Sequence, residues 1–250
     1  MHSKLIEFER LENVRDLCTI KNKDGFNIKE KKLIRGIRLG QASQKDLKKL
    51  YDEYNIRMIF DFRSSIEKYE LQDKIIEDQR YFDIIVQKES YVGVSMDKES
   101  KRMKEYFDKL DKQMKSKDFM IKHMCKFYYS MADDYTCRQY AKFLNLLLEN
   151  NDGAYWHCSL GRDRCGIGTA LLLECLDVDR ETIIEDYLYT NECCDDIDIA
   201  YREFIEAYYK GIIDGYGSVE EMLKYVGIDE NKQKLLKDKY LENKYVRIYT

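Results

Sequence analysis

The sequence contains no proline, and only 12 of its 250 residues are glycine. Without proline, helices can run without breaks, and turns must be formed by Gly, Asn and Asp. The chain also lacks a Gly/Ser-rich tract, a composition shift or an internal repeat that would mark a linker or an array. We therefore expect a single domain that covers residues 1–250.

No segment has the pattern of a leader or of a membrane span. The first residues, MHSKLIEFERLENVRD, are charged throughout and lack the apolar stretch of a signal peptide. No run approaches the ~18 apolar residues of a spanning helix. The eight cysteines include no C-x-x-C pair, so a structural zinc site is not indicated. We expect a cytoplasmic protein with reduced cysteines, although secretion without a signal peptide is left open.

Charge of neither sign dominates the chain. Lys and Arg number 43 and Asp and Glu 47, so the net charge is −4. A mildly acidic protein is a poor candidate for nucleic-acid or membrane-surface binding, which needs a basic face. Hydrophobic residues make up 44% of the chain, which excludes the composition of a disordered protein.

The apolar pattern predicts an α/β fold. Short apolar runs predict strands at residues 32–35, 57–62, 81–86 and 154–157. Helical patterns lie between and after them, at residues 43–54, 98–115, 118–131, 136–149, 166–176, 180–192, 197–213, 219–225 and 231–241. Strands separated by helices indicate a mostly parallel central sheet of four or more strands, with a helical C-terminal half. In such sheets the ligand binds at the carboxyl ends of the strands.

One segment, AYWHCSLGRDRCGIGTALLL at residues 154–173, carries the chemistry. The pattern predicts a strand that ends at His157, a compact loop over 158–164, and a buried helix that begins near Gly166. A loop that leads into a helix N-terminus supplies unpaired N–H groups for an anion. Arg164 adds a planar fork that suits two oxygens of a phosphate.

Cys158 lies at the base of this predicted anion site. A helix end, loop amides and a guanidinium favour the thiolate, and comparable settings lower a thiol pKa to about 3.5–7.5. A thiolate that faces a bound phosphate is placed for in-line attack on phosphorus, which gives a cysteinyl-phosphate that water then hydrolyses. The alternative is a buried structural cysteine. A rhodanese-like sulfurtransferase is disfavoured, since its cysteine loop is shorter.

The segment contains the C-x5-R signature of cysteine-based phosphatases, and HC-x-x-G-[KR]-D-R-x-G resembles the bacterial PtpB-type (LipA-like) tyrosine phosphatases. Members of that family act on phosphotyrosine and, in several cases, on phosphoinositides. The similarity covers essentially the whole chain. Its other landmarks follow in family order at residues 13–17, 24–25, 33–35, 46–47, 59–64 with Glu67, 186–188, 190–192 and 216–220.

The resemblance implies roles for the loop residues. Cys158 would be the nucleophile and Arg164 the clamp on the transition state. Asp163 would protonate the leaving oxygen, although an Asp at a helix start is also a common N-cap. The phosphate-binding residues would be Ser159, Leu160, Gly161, Arg162, Asp163 and Arg164. No metal and no cofactor is implied.

Residues beside the loop are expected to support it. His157 more simply packs beneath the loop than acts as a base. The chain departs from the family at Arg162, where Lys is usual and favours polyanionic headgroups, and at Cys165, where Ser or Thr is usual. A thiol at 165 would slow breakdown of the intermediate, would form a disulfide with Cys158 on oxidation, or would simply be a small buried residue. The remaining supporting candidates are Asp61, Arg63, Arg15 and Asp16.

Together these features predict a phosphate monoester hydrolase, most simply a protein-tyrosine phosphatase of broad specificity. Its partner would be a phosphotyrosine protein, with no nucleic acid and no integral membrane segment. The first alternative is a phosphatase for phosphoinositides or other phosphorylated small molecules. The second, motivated by Cys165, is a catalytically weak phosphate-binding module. In the family, an insertion comparable to residues 97–135 forms a helical lid.

Overall fold

A computed structural model describes residues 1–87, 113, 115–149, 151–194 and 199–242 of the chain. Its centre is a six-stranded, mostly parallel sheet with the order β1-β2-β3-β6-β4-β5. The strands are β1 (Lys4–Leu5), β2 (Arg15–Asp16), β3 (Leu33–Gly36), β4 (Ile56–Asp61), β5 (Arg80–Asp83) and β6 (Gly153–His157). The α/β class and the mostly parallel sheet predicted from the sequence are confirmed.

The parallel part of the sheet places β6 between β3 and β4. Gly36 of β3 and Asp61 of β4 both align with His157, so the three strands end at the same level. The four predicted strands are present, although β5 ends at Asp83 rather than at residue 86. The antiparallel pair β1 and β2 was not predicted, because a two-residue strand is too short to have a periodic pattern.

Helices flank the sheet on both faces. They are α1 (Gln44–Lys48), α2 (Ser65–Glu70), α3 (Lys117–Ser130), α4 (Asp134–Leu148), α5 (Asp163–Cys175), α6 (Arg180–Leu188), α7 (Thr190–Cys193), α8 (Arg202–Tyr216), α9 (Val219–Tyr225) and α10 (Glu230–Tyr240). A wider helical turn, Lys49–Glu53, continues α1. The helix predicted at 180–192 is divided into α6 and α7 at Tyr189. The short helix α2 was not predicted.

Some predicted residues lie outside the described ones: residues 98–112 and 114 of one predicted helix, residues 97–112 and 114 of the predicted lid, and residues 197–198 of another predicted helix. Within the described ranges, none of the helices is long and apolar enough to cross a membrane.

The core lies on both faces of the sheet, and β6 separates its two parts. Trp156 is buried in the larger cluster, under α4 and α5, whereas Tyr155 is buried in the smaller one, under α1. Neighbouring residues of a strand point to opposite faces, so these two aromatic side chains anchor β6 from both sides. Since most of α5 is also buried, the segment between β6 and α5 is held at both ends by the core.

Close packing of α3 on α8 depends on a glycine. A Cβ atom at Gly211 would lie 2.7 Å from Cβ of Ala132 and 2.8 Å from the carbonyl oxygen of Tyr129. The helix backbones therefore approach each other more closely than any larger residue allows. Gly215 lies one turn later in α8, and a Cβ atom added there would have no atom within 4 Å.

We expect Gly211→Ala to separate α3 from α8 and to lower the free energy of unfolding by about 1–3 kcal/mol, as overpacking does. Gly215→Ala is the matched control, and it should raise that free energy by about 0.5–1 kcal/mol, since alanine is the better helix former. Urea unfolding of both variants measures the difference. Equal stabilisation by both alanines would show that the helices are not tightly packed at Gly211.

Candidate active site

The segment between β6 and α5 forms a compact loop at the carboxyl edge of the sheet. Its first residue, Cys158, is buried with 2% of its surface exposed. The helix α5 begins at Asp163, three residues before the predicted start near Gly166. The first turn of α5 therefore includes Arg164, and its N–H groups lie at the loop.

Two side chains hold the loop carbonyls from beneath. Asn13 donates from Nδ2 to the carbonyl oxygen of Leu160 at 3.1 Å, and Arg35 donates from Nη2 to that of Gly161 at 2.8 Å. In a planar trans peptide the N–H points opposite to the C=O, so the N–H groups of Gly161 and Arg162 point away from these side chains. No described backbone group accepts a hydrogen bond from the amides of residues 159–162. The loop thus presents unpaired amides on one side, as an anion site requires.

Gly161 adopts a backbone conformation that the loop requires. Its φ of +69° lies in the left-handed region. A Cβ atom there would also lie 2.6 Å from the carbonyl oxygen of Gly36 in β3. Any larger residue would therefore be strained in conformation and would push the loop away from the strand.

The Arg164 guanidinium is fixed by a carboxylate from α2. It donates from Nη1 and Nη2 to the two oxygens of Glu67 at 2.5 and 2.7 Å, and Ser159 donates to the same carboxylate. Glu67 is itself held by the N-cap residue of α2, Ser64, whose backbone N–H donates to it at 3.0 Å. Although partial burial opposes ionisation, Arg164 and Ser159 lower the pKa of Glu67 well below its usual range. This pair is therefore ionised at neutral pH.

Asp163 is bound by two neighbouring side chains. Arg162 donates to both of its oxygens at 2.8 and 3.0 Å, and Tyr128 of α3 donates to Oδ1 at 2.5 Å. The Tyr128 hydroxyl also lies 2.7 Å from that of Tyr187. The N-cap interpretation of Asp163 is wrong, because the N-cap of α5 is Arg162 and Asp163 is the first helical residue.

The comparison with known families agrees with this site. A profile of the tyrosine phosphatase family matches residues 6–242. The chain belongs to the tyrosine phosphatase family. The match covers the loop, the strands β2 to β6 and the helices α1 to α10, which confirms the family assignment made from the motifs. No individually curated protein matches the chain.

In this phosphatase-family chain, Arg162 does not extend freely into solvent. Besides its two bonds to Asp163, it donates from Nη1 to the carbonyl oxygen of Ile199 at 2.8 Å. Only 17% of the side chain is exposed. The predicted contact of Arg162 with polyanionic substrates stays a prediction.

His157, Asp61 and Arg63 form one buried group at the ends of β6 and β4. Arg63 donates to both oxygens of Asp61, and its Nη2 lies 2.9 Å from Asp73. His157 Nε2 lies 3.0 Å from the same Asp73 carboxylate, and its Nδ1 lies 3.1 Å from the carbonyl oxygen of Cys158. These contacts tie the base of the loop to two strands, as expected of supporting residues.

The carboxylates of Asp61 and Asp73 and the imidazole of His157 also lie close enough to hold a metal ion. However, the Arg63 guanidinium already binds both carboxylates, so a positive charge occupies the space between them. Burial opposes the ionisation of Asp61, yet His157 and Arg63 lower its pKa well below its usual range. The group is best described as an ion-pair network.

The two supporting residues predicted in β2 differ in what they contact. Arg15 is fully buried and donates to the carbonyl oxygen of Asp186 at 2.7 Å, and Arg35 binds the carboxylate of the same residue. Asp16 accepts from the backbone N–H groups of Cys18 and Lys31 at 3.1 and 2.8 Å, and so stabilises its own turn. Arg15 therefore belongs to the group beneath the loop, whereas Asp16 shapes the N-terminal segment.

Cys165, the departure from the family pattern, is completely buried. Its thiol donates a long hydrogen bond of 3.6 Å to the carbonyl oxygen of Trp156. Burial raises the pKa of this thiol to about 11. It is therefore a neutral thiol at pH 7, and this geometry fits the interpretation of Cys165 as a small buried residue. Slow turnover and a disulfide with Cys158 stay predictions.

Sequence reasoning did not assign a role to several residues that shape the site. Glu67, Asn13, Arg35 and Asp186 were noted only as family landmarks. Tyr128 had no signal at all, since a Tyr in a helix is ordinarily a core residue. The charged and polar landmark residues could have been considered as partners of the loop residues, but the sequence alone does not indicate which side chains contact each other.

We expect Gly161→Ala to abolish anion binding by the loop. The variant should lose about 1–3 kcal/mol of stability from its left-handed backbone, and the added methyl group should displace the loop from Gly36. The rise in melting temperature that tungstate, a phosphate analogue, gives the parent protein should disappear.

Gly227→Ala is the matched control, because Gly227 has a φ of +84° but no atom within 4 Å of the added Cβ. It should lose similar stability and keep the tungstate effect. If Gly161→Ala also keeps that effect, the loop is not the anion site.

Proposed function

We propose that the protein hydrolyses phosphate monoesters through a cysteinyl-phosphate, and that its substrates are phosphotyrosine residues of proteins. One observation carries the proposal: Cys158 begins a loop whose amides have no backbone acceptor among the described residues, and this loop leads into the helix start that holds Arg164, fixed by Glu67. Membership of the tyrosine phosphatase family supports phosphatase activity. The roles of individual residues below are our assignments.

In the first step the Cys158 thiolate attacks phosphorus. The S–P bond forms as the bond from phosphorus to the tyrosine oxygen breaks, and that oxygen takes a proton from Asp163. In the second step water attacks phosphorus, the S–P bond breaks, and inorganic phosphate leaves. The departing sulfur is restored as the thiolate, and Asp163 accepts the proton of the water.

Arg164 stabilises the charge that spreads over the phosphoryl oxygens in the transition state. A guanidinium has five N–H donors, and Glu67 accepts two of those on Arg164. The others remain for the substrate. Since Glu67 fixes the plane of the guanidinium before the substrate binds, little reorganisation is needed.

Asp163 is positioned for proton transfer by Tyr128 and Arg162, which donate hydrogen bonds to its carboxylate. The carboxylate form of Asp163 is the one that activates water in the second step. In the first step, the acid is needed only where the leaving oxygen is a poor leaving group.

Two features favour phosphotyrosine over phosphoinositides. Arg162, which would recognise additional phosphates, is engaged by Asp163 and Ile199. Leu160 leaves 47% of its surface exposed in the loop, and this apolar side chain suits an aromatic ring better than a charged headgroup. Three of the five N–H donors of Arg162 are already engaged, which leaves fewer of them for the additional phosphates of a phosphoinositide.

We expect Cys158→Ser to abolish turnover of an aryl phosphate and of a phosphotyrosine peptide, because a hydroxyl at this position is not ionised at neutral pH. Binding of tungstate should persist, since the loop amides and Arg164 are unchanged. EDTA should leave the parent enzyme active, and a phosphoinositide panel should be hydrolysed more slowly than the peptide.

An active Cys158→Ser protein, or inactivation by EDTA, would overturn the mechanism. Cys165→Ser is the control, because it changes the thiol next to Arg164 without removing the nucleophile. An inactive parent protein that still binds tungstate would instead favour the phosphate-binding module.

We expect Asp163→Asn to lower kcat by about 10²–10⁴ for an alkyl phosphate, whose oxygen leaves only with a proton. An activated aryl phosphate, whose oxygen leaves as an anion, should be affected much less. Tyr128→Phe should give a smaller loss of the same kind, about tenfold, which corresponds to one hydrogen bond to a charged group of ~1.5 kcal/mol.

The control is Tyr129→Phe, the next residue, whose hydroxyl donates to Asp214 on the outer surface. Tyr129→Phe should change neither the hydrolysis of the alkyl phosphate nor that of the activated aryl phosphate. Equal losses on both substrates for Asp163→Asn would indicate damage to the loop rather than loss of an acid.

A further inference from the structure

Beneath the loop lies a buried group of three charges, the side chains of Arg15, Arg35 and Asp186. Their side chains are no more than 1% exposed. Arg35 Nη1 lies 3.1 Å from one carboxylate oxygen of Asp186, and Arg15 Nη1 lies 3.4 Å from the other. Two positive charges thus share one negative charge, and we call this set the basic triad.

The basic triad differs from the other arginine pairs around the site. Arg164 is matched by Glu67, and Arg162 by Asp163. Arg63 binds two carboxylates, those of Asp61 and Asp73. Each of these guanidinium groups has at least one carboxylate of its own, whereas the basic triad carries an excess charge of +1.

Two buried nitrogen atoms of the basic triad also lack a hydrogen-bond acceptor among the described residues. They are the Nε atoms of Arg15 and Arg35. Burial, followed by the charge of Arg35, lowers the pKa of Arg15. An uncompensated buried charge is costly, so an anion close to the triad would stabilise it.

Candidate anions near the triad are few. Cys165 faces Arg35 from α5, but burial raises its thiol pKa to about 11, so it is neutral at pH 7. Tyr187 of α6 has a pKa raised far above its usual range by burial. Cys193 of α7 is neutral as well, because burial raises its thiol pKa to about 11. Arg35 binds the Gly161 carbonyl of the loop that begins at Cys158, so the Cys158 thiolate, or a phosphate bound above it, is the anion that the loop offers to the triad.

Other ionisable groups face Cys158 from the elements packed around it. Arg164 and Glu67 form a matched pair at the rim, and His157 contacts the Cys158 carbonyl from β6. Tyr140 of α4 and Tyr155 of β6 are also buried. Burial raises their pKa values well above the usual range, so both are neutral. Asp61 and Asp73 are neutralised in part by Arg63, on the side of His157.

We propose that Arg15 and Arg35 are positioning residues that supply a buried excess positive charge beneath the loop and thereby hold Cys158 as a thiolate. The proposed function rests on that thiolate as the nucleophile, and the present inference names the charge that maintains it. Among the described residues, Arg15 donates hydrogen bonds to Asp186 and Thr190 and not to the loop, so its effect on Cys158 is electrostatic. Arg35 acts both by its charge and by its hydrogen bond to Gly161.

The test is the pH dependence of Cys158 alkylation by iodoacetamide, followed by peptide mass spectrometry to separate Cys158 from the other cysteines. The decisive variant is Arg15→Met, which removes the excess charge and leaves the Arg35 bond to Gly161 in place. We expect the apparent pKa of Cys158 to rise by about 1–3 pH units. The double variant Arg15→Met with Asp186→Asn restores an excess charge of +1, so it should return the Cys158 pKa most of the way to its value in the parent protein.

Further variants separate charge from structure. Arg35→Met should raise the same pKa at least as much as Arg15→Met and should also weaken tungstate binding. Arg202→Met removes an exposed arginine paired with Glu181, and it should leave the pKa unchanged. Circular dichroism identifies variants that fail to fold. If Arg15→Met does so, Asp186→Asn alone, which raises the excess charge to +2, should lower the Cys158 pKa.

An unchanged Cys158 pKa in Arg15→Met, or in Asp186→Asn if that variant is used, would overturn the proposal. A shift in Arg15→Met that the double variant does not reverse would overturn it as well, because it would indicate a structural effect. These measurements do not require turnover. If the pKa shifts as expected but the parent protein hydrolyses no phosphate ester, the inference stands and the proposed function fails.

Discussion

Two hydrogen bonds from beneath the loop determine what the loop can bind. Asn13 and Arg35 hold the carbonyl oxygens of Leu160 and Gly161, and this turns the following amides toward the opposite side. If these carbonyls faced the site, they would repel a phosphate. The anion site is therefore specified as much by the residues that restrain the loop as by the loop itself.

The N-terminal segment positions residues that restrain the loop. The short antiparallel strands β1 and β2 extend the sheet beside β3, and they bring Asn13 to the loop and Arg15 to Asp186. From the other side, α2 brings Glu67 to Arg164. Segments far apart in the chain thus meet at one loop, and buried charge is kept there because it is paired or has a binding role.

The sequence predicts some parts of this arrangement well. The β6–loop–α5 unit could be predicted, because a short apolar run, a C-x5-R spacing and a buried helix leave few other structures. The central strands could also be predicted, since β-branched and aromatic residues dominate them. In contrast, the sequence analysis predicted that α5 begins near Gly166, whereas the helix begins at Asp163. Its charged first turn lacks the apolar pattern that identified the rest of the helix.

Pairings across the fold could not be predicted in the same way. Glu67 lies 97 positions from Arg164, and Tyr128 lies 35 positions from Asp163, so no local pattern links either pair. A single sequence gives the residue types that carry the chemistry. Which carboxylate meets which guanidinium depends on how the sheet and helices pack, and only the structure provides that.

The proposed mechanism depends on transfer of phosphate to Cys158, and isolation of that intermediate tests it. The protein is mixed with an aryl phosphate, quenched in acid within the first turnover, digested and analysed by mass spectrometry. We expect one added phosphoryl group on the peptide that contains Cys158, and its disappearance once the substrate is consumed. Substrate turnover with no phosphoryl group on Cys158, or with one on another residue, would refute the mechanism.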